Sequence, residues 1–580
     1  LDLLWRAPLE RVLGLKELDR QYLELPEGES VSAFLEAVFE QFDVRINIAA
    51  DDMAKVPREG PTVVVANHPY GGIEGLALAL LLLTIRPDVR ILANFLLGRI
   101  PELRELFLLV DPFESVEAAG RSLAGLRQAH RWLAEGGLLV VFPAGEVASL
   151  DLRQRAVVDP PWAETVDRLI SKAQCPVIPV YFAGHNGPLF QLAGLVHPVL
   201  RTAMLPRELL ARRGRPLKVC IGSPVKYSDL RTFETGEARM NFLRRRTEIL
   251  GERLPLSPKP TQPRKTPDLP AAIIDPVERS RLEAEVDYLP RKNLLAESGC
   301  QEVWIADGEH IPALLTEIGR LRELTFRDVG EGTGRELDLD HFDEIYQHLF
   351  VWHREDKEVV GAYRIGCTDT LLAEDGLEGL YTSTLFRYHT RLFDSMGTAL
   401  EMGRSFIQPR YQKSFAGLLL LWKGIGRFVV QNPECTTLFG PVSISADYRS
   451  SSQQLMAAFL KQNTYHHPWC KWVHPRSPFK ERPSRVIRRG VGDLRDLEDV
   501  SRFIAEIEAD HKGMPILLRQ YLKLGGRLLG FNVDPDFSDV LDVLVMVDLR
   551  ETPVKTLARY MGSEGAAAFL AHHGVSSGPT

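Results

Sequence analysis

Cysteine is scarce in this chain. Six are spread over 580 residues, the nearest two in sequence being Cys435 and Cys470, so there is no Cys-x-x-Cys pair and no metal-like spacing with histidine. They read as reduced thiols, which sets aside a disulfide-stapled fold and fits a cytoplasmic protein that holds no metal. Surplus positive charge is missing as well. The 70 Lys and Arg against 77 Asp and Glu leave a formal net charge of −7, so nucleic acid is not an expected partner. Long apolar runs are absent too: the longest, Leu76 to Ile85, is about half of what a bilayer-spanning helix needs. No signal-peptide pattern opens the chain. The protein is expected to lie on a membrane, not to cross it.

What is present is an ordinary globular composition, 45% hydrophobic, 25% charged and 8% aromatic, long enough for two or more domains with full cores. Seven prolines fall within residues 251–276, a density that neither a helix nor a sheet can carry. The boundary is placed there: a first domain over 1–262, a linker over 263–275 and a second domain over 276–580. In the first, Phe34, Leu35, Val38 and Phe42 share a helical stripe. It reads as a helix on a core, with a membrane-facing helix as the alternative. From residue 60, short apolar runs at 62–66, 89–92, 137–142 and 175–182 alternate with helical stretches at 75–84 and 121–135. That alternation predicts a mainly parallel α/β sheet. In the second domain, 302–306, 348–353 and 359–365 read as strands and 311–327 as a helix.

The most informative segment is Val63-Val64-Val65-Ala66-Asn67-His68-Pro69-Tyr70-Gly71-Gly72-Ile73-Glu74. An apolar strand stops at a histidine, glycines turn the chain, and a carboxylate follows as a leucine-rich helix begins. His68 can take a proton from a hydroxyl while Glu74 fixes the tautomer and steadies the imidazolium. No Gly-x-Ser-x-Gly elbow stands nearby, which favours direct attack over a covalent intermediate. Further along comes Phe142-Pro143-Ala144-Gly145-Glu146. Together these resemble the glycerolipid acyltransferase superfamily, in which Asn-His with a following acid is the catalytic block and Phe-Pro-x-Gly a phosphate-binding block. There are two departures: one more residue than usual separates His68 from Glu74, and Ala144 stands where Glu is usual, with Glu146 as the displaced carboxylate. Leu108-Leu109-Val110-Asp111-Pro112-Phe113 and Val177-Ile178-Pro179-Val180 match the remaining blocks in order. The resemblance implies that Asn67, His68 and Glu74 are catalytic, and that Arg99, Phe142, Pro143, Gly145 and Glu146 contact substrate. Basic clusters at Arg212, Arg213, Arg215 and Lys218, and at Arg244, Arg245 and Arg246, read either as receivers of anionic lipid heads or an acidic carrier, or as plain solvated surface.

In the second half, an apolar strand carries Glu401 and Arg404 and ends at Pro409, and a helix opens near Ser414 beside Arg410 and Lys413. Such a helix start suits a phosphopantetheine phosphate. Glu401 and Asp343 are both candidate bases. Arg404 can bind a carboxylate bidentately. Arg322-x-x-x-Phe326-Arg327, Asp340-x-Phe342-Asp343 and Glu401-x-Gly403-Arg404 resemble the N-acyltransferases of lyso-ornithine lipids and, more distantly, the acyl-homoserine lactone synthases, both related to the acetyltransferase fold. Leu517-Leu518-Arg519-Gln520-Tyr521-Leu522-Lys523 extends the likeness and makes Arg519 and Lys523 candidate substrate contacts. The acetyltransferase pyrophosphate loop is absent, which favours an acyl-carrier-protein thioester over acyl-CoA.

As a whole the chain resembles the bifunctional ornithine-lipid synthases. That resemblance implies an α/β protein of two domains that binds no cofactor. The second domain would N-acylate an amino acid with a 3-hydroxyacyl chain from acyl-carrier protein, and the first would O-acylate the lyso-lipid at the inner face of the cell membrane. A lysophospholipid acyltransferase with a non-catalytic second domain, and a non-enzymatic haemolysin-like lipid binder, are the alternatives.

Overall fold

The computed structural model describes residues 10, 13–26, 30–110, 116–254, 270–414, 416–464 and 468–575. The chain falls into two compact units, one over residues 1–258 and the other over 259–508 and 512–580. Of the expected linker, 263–269 lies outside the described residues. Residues 270–275 run without helix or strand, with Ala271 N–H on the Gly334 carbonyl at 2.9 Å.

In the first unit, helix α1 (Val31–Gln41) is followed by strands β1 (Ile46–Asn47) and β2 (Thr62–Ala66), helix α2 (Ile73–Leu83) and strands β3 (Val89–Asn94), β4 (Phe107–Val110), β5 (Leu138–Val141) and β6 (Val177–Phe182). Helices α3 (Pro188–Val196), α4 (Pro198–Ala203) and α5 (Leu205–Leu210) lead into β7 (Leu217–Ile221). The sheet order is β1-β7-β6-β2-β5-β3-β4. Every pairing is parallel except β6 with β7. Central β2 is buried along its whole length, with Val64 opposite Val140 and Ile178, as a continuous β-branched run in a sheet covered on both faces should be. Phe34, Leu35 and Phe39 of α1 bury into the same core as Leu78 and Leu82 of α2, so that stripe packs inward.

The second unit is built on eight strands: β8 (Leu294–Ser298), β9 (Gln301–Asp307), β10 (Gln347–His353), β11 (Glu358–Cys367), β12 (Ala399–Ile407), β13 (Thr437–Ile444), β14 (Arg527–Asp534) and β15 (Val540–Asp548). Helix α6 (Pro312–Asp328) lies between β9 and β10, and α7 (Ala416–Gln431) between β12 and β13. The order β8-β9-β10-β11-β12-β13-β15-β14 is antiparallel throughout except for β12 with β13. Those two pair in parallel only from Ala399–Thr437 to Glu401–Phe439, and then part. The register of β12 against β11 slips between Ala362 and Arg364. Arg404 in that bulge has a left-handed φ of 50°, so β12 bends away just past Glu401.

Candidate active sites

In the first unit the end of β2 and the start of α2 meet at a sharp corner. Gly71, at φ 100°, makes the turn that brings Glu74 back under His68. The Glu74 carboxylate is fully buried. It accepts from the backbone N–H of Tyr70 (2.9 Å), Gly71 (2.8 Å) and Gly72 (3.1 Å), and lies 2.9 Å from His68 Nδ1. The ring is turned so that this last contact is an ion-pair distance, not an aligned hydrogen bond. Burial works against the charge, but His68 and the backbone donors outweigh it and hold the carboxyl down at about 2. With Nδ1 facing Glu74, Nε2 is the nitrogen left to exchange a proton with a substrate. Phe142 covers the imidazole, ring centroids 4.6 Å apart.

The neighbouring residues have different roles. Asn67 does not reach the imidazole. Its amide gives a hydrogen bond to the Phe182 carbonyl (2.9 Å) and takes one from Phe182 N–H (2.7 Å), fastening β2 to β6. Asn67 is thus a positioning residue and not a catalytic one. Pro143 is buried, with its carbonyl accepting from Ala163 N–H (2.9 Å), and Gly145 turns at φ 68°. Glu146 is mostly exposed and pairs with Arg201 at 2.7 Å. Arg99 is exposed, at the end of a short 3-10 turn after β3. Asp111, Pro112 and Phe113 lie outside the described residues. The basic run 244–246 is not an open surface: Arg244 and Arg245 both pair with Glu248, and Arg246 is buried. The motifs gave no sign of Asp159. The His68 N–H points at its two oxygens (3.2 and 3.3 Å), Trp162 donates to it (3.3 Å), and burial pushes its carboxyl above the usual range.

In the second unit the residues of the three motifs converge beside the place where β12 and β13 part. Glu401, the last residue of β12 paired with β13, is buried. It accepts from Tyr346 O–H and, at 2.6 Å, from Thr382 N–H. Burial raises its carboxyl above the usual range despite those donors. Next to it lie three arginines and three aspartates. Arg322 grips Asp343 with both terminal nitrogens (3.0 and 2.9 Å) and places Nε 2.9 Å from Asp338. Arg364 pairs with Asp340 at 2.5 Å and Asp343 at 3.3 Å. Arg404 faces Asp340 (3.4 Å) and Asp338 (3.6 Å), between the rings of Tyr381 and Phe537.

This geometry separates the two candidate bases. Burial disfavours the Asp343 charge, but Arg322 and Arg364 hold its carboxyl well below the usual range, so it is a fixed counter-ion and a poor proton acceptor. Glu401, whose carboxyl is raised, is the better proton acceptor of the two. Arg404 already faces two carboxylates, which corrects its reading as an open receptor for a substrate carboxylate. Arg404 also acts on Asp542, whose charge is opposed by Asp534 and Glu331. Burial, then repulsion from the other two, pushes the Asp542 carboxyl far up, and its Oδ2 has no hydrogen-bond partner. Arg410 does not stand free for a phosphate but pairs with Asp356 (3.1 Å) and Glu358 (2.8 Å). Lys413 is exposed just before α7. Arg519 is tied to Glu498, and Lys523 is exposed on the same short helix, Ile516–Lys523. Tyr346 and Arg364 were missed. A lone arginine within the apolar run Val359–Ile365 was the available signal for the second.

Comparison with known proteins agrees with this division. A sequence profile described as "Acyltransferase" matches residues 9–256, and one described as "Acetyltransferase (GNAT) domain" matches 321–423. The glycine N(alpha)-acyltransferase of Bacteroides thetaiotaomicron is 30% identical over 299 residues, 48% of this chain and 86% of that protein. The lyso-glycine lipid O-acyltransferase of Phocaeicola vulgatus is 27% identical over 202 residues, 33% of this chain and 69% of that protein. The crystal structure of the 1-acyl-sn-glycerophosphate acyltransferase from Thermotoga maritima covers 38% of this chain and 76% of its own at 17% identity, with a TM-score of 0.26, too low to argue from.

Proposed function

We propose, for an acyltransferase that belongs to the family of the glycine N(alpha)-acyltransferases and joins a GNAT domain to a second acyltransferase domain, that the two domains work in sequence on one aminolipid. The observation that supports this reading is that each unit sets a candidate base on a buried carboxyl or strand seam, His68 beside Glu74 in one and Glu401 where two strands part in the other.

In the second unit the α-ammonium group of an amino acid first releases one proton to solvent, and the free amine then attacks the carbonyl of a 3-hydroxyacyl thioester while Glu401 takes its second proton. The N–C bond forms, the C–S bond breaks, and the thiolate leaves and takes up the proton. Tyr346 and Thr382 hold the carboxyl in place, and the arginine–aspartate lattice keeps the strand end rigid. The crowded carboxyls of Glu331, Asp534 and Asp542 suit an acceptor that arrives as an ammonium. In the first unit His68 Nε2 takes the proton of the lyso-lipid's hydroxyl as that oxygen attacks a second thioester, and the imidazolium returns it to the departing thiolate. Glu74 stays ionised throughout and steadies the charged ring.

The missing pyrophosphate loop and the engagement of Arg410 with Asp356 and Glu358 favour acyl-carrier protein as the donor. The acceptor is an amino acid: the likeness to ornithine-lipid synthases suggests ornithine, and the names of the relatives favour glycine. Among the described residues no helix is long and apolar enough to cross a membrane, in keeping with an enzyme peripheral to the inner face of the cell membrane. The test is to give the purified protein ornithine, glycine, lysine or glutamine with a 3-hydroxyacyl chain on acyl-carrier protein or on CoA. An N-acyl amino acid formed from the carrier protein supports the reading. Formation only from CoA overturns the donor, and no amide from any pair overturns the amide-forming step.

A further inference from the structure

The first unit exposes an apolar face that its own fold does not need. Leu189, Leu192, Leu195 and Val196 recur at helical spacing along one side of α3, while Phe190 and Gln191 on the other side are buried. Helix α4 continues the outward face with Val199 and Leu200. Val196 is 76% exposed and Val199 65%, values at which a core residue is out of place and an interfacial one is at home. The charge beside it is one-sided. From His185 to Lys218 the chain has six Lys and Arg and a single acid, Glu208, although the whole protein carries −7. Arg207, Arg213, Arg215 and Lys218 are exposed.

These helices also brace the catalytic corner. Arg201 of α4 pairs with Glu146, Leu205 of α5 packs on Gly71, and the Arg212 guanidinium lies 4.1 Å over the Tyr70 ring. Asn186, just before α3, donates to the Tyr70 carbonyl at 3.1 Å.

We infer that α3 and α4 form the surface by which the first unit docks on an anionic lipid bilayer, their apolar side entering the headgroup–acyl boundary and the adjacent cations meeting lipid phosphates. The inference rests on the reading that His68 acylates a lipid hydroxyl, because such a substrate resides in that boundary. Docking there places the His68 corner against the leaflet, so the acceptor need not leave the membrane to react.

The test uses the full chain and three proteins: wild type, the triple variant Leu192→Glu, Val196→Glu, Val199→Glu, and the double variant Arg213→Glu, Arg215→Glu. All these side chains except the arginines' stems are solvent-exposed, and the fold should tolerate them. Each protein is sedimented with vesicles of phosphatidylcholine alone, or of phosphatidylcholine and phosphatidylglycerol in equal parts. Ester formation is measured on a short-chain soluble acceptor and on a long-chain acceptor carried in the vesicles. Wild type should sediment with the mixed vesicles. The triple variant should lose at least tenfold in binding and in turnover of the vesicle-borne acceptor, yet match wild type on the soluble one. The double variant should lose the preference for phosphatidylglycerol, and that preference should fade with salt. Wild-type failure to bind vesicles, or a triple variant that binds them as wild type does, overturns the docking surface. So does a triple variant that changes only from dimer to monomer, since the face would then join two copies. A wild type that acylates neither acceptor instead overturns the function assigned to His68, so the two failures are distinguishable.

Discussion

At Glu74 three backbone N–H groups and the His68 ring keep a fully buried carboxylate ionised down to about pH 2. Titration of Glu74 should therefore contribute no acid limb to ester formation above about pH 2, whichever acceptor is used. The folded carboxyl lies below its ordinary 4.5, so its stabilisation is complete above that pH and is lost as pH falls towards about 2. Glu74→Gln should lose that contribution, roughly 3 kcal/mol at neutral pH, and show a flatter fall in stability between these limits. Urea unfolding at neutral and acid pH measures it. An unchanged stability profile would remove Glu74 from this role. Glu401 has the opposite sign. Burial raises its carboxyl, so the stabilisation it gives is full at low pH and is lost as pH rises through the raised value. Glu401→Gln should unfold no earlier than wild type on the alkaline side, while amide formation drops on the order of a hundredfold. Thermal unfolding and rate measured on the same preparation separate the two effects; a variant that loses activity only by unfolding would contradict the assignment. The motifs brought Glu401 into view as a charge set in an apolar strand, His68 and Glu74 as a histidine and a carboxylate at a glycine turn, and Asp343 as part of a run of acids and aromatics. They did not divide the labour between Glu401 and Asp343, since that depends on Arg364 and Tyr346, which only the folded chain brings to them.

The parting of β12 and β13 is set by a few backbone atoms. Gly440 follows the last paired residue of β13, and a Cβ there would sit 2.0 Å from the Met402 carbonyl oxygen. Gly440→Ala should force the strands apart at Glu401, destabilising by about 1–3 kcal/mol and lowering amide formation while ester formation persists. Gly490→Ala, where an added Cβ meets nothing within 4 Å, is the control. Equal effects from both substitutions would mean that the seam has no special part. How well each element could be read from sequence follows its burial. Thr62–Ala66 and Val177–Phe182 are covered on both faces, so they appear as nearly continuous apolar runs with near-correct ends. The helix at Pro312–Asp328 shows its period through Leu314, Ile318 and Leu321. Strands β13, β14 and β15 were not recognised. They pair in an order fixed by long-range antiparallel contacts, with β15 between β13 and β14, and no local signal in the chain encodes that order.

At the scale of the whole molecule, the proposed function gives each of the two units one centre and has the first act on what the second makes. A lipid extract of a host without aminolipids, expressing wild type, His68→Ala or Glu401→Gln, tests this division most directly. The three proteins share one fold, one expression level to be verified by blotting, and one pool of acyl donors, so any difference reports the missing side chain. Mass spectrometry should find the di-acylated aminolipid with wild type and only the mono-acylated amide with His68→Ala. With Glu401→Gln it should find neither, until synthetic lyso-lipid is supplied and the di-acylated product returns. Wild-type amounts of di-acylated lipid from His68→Ala, or of amide from Glu401→Gln, would contradict the assignment of the two steps to these two centres.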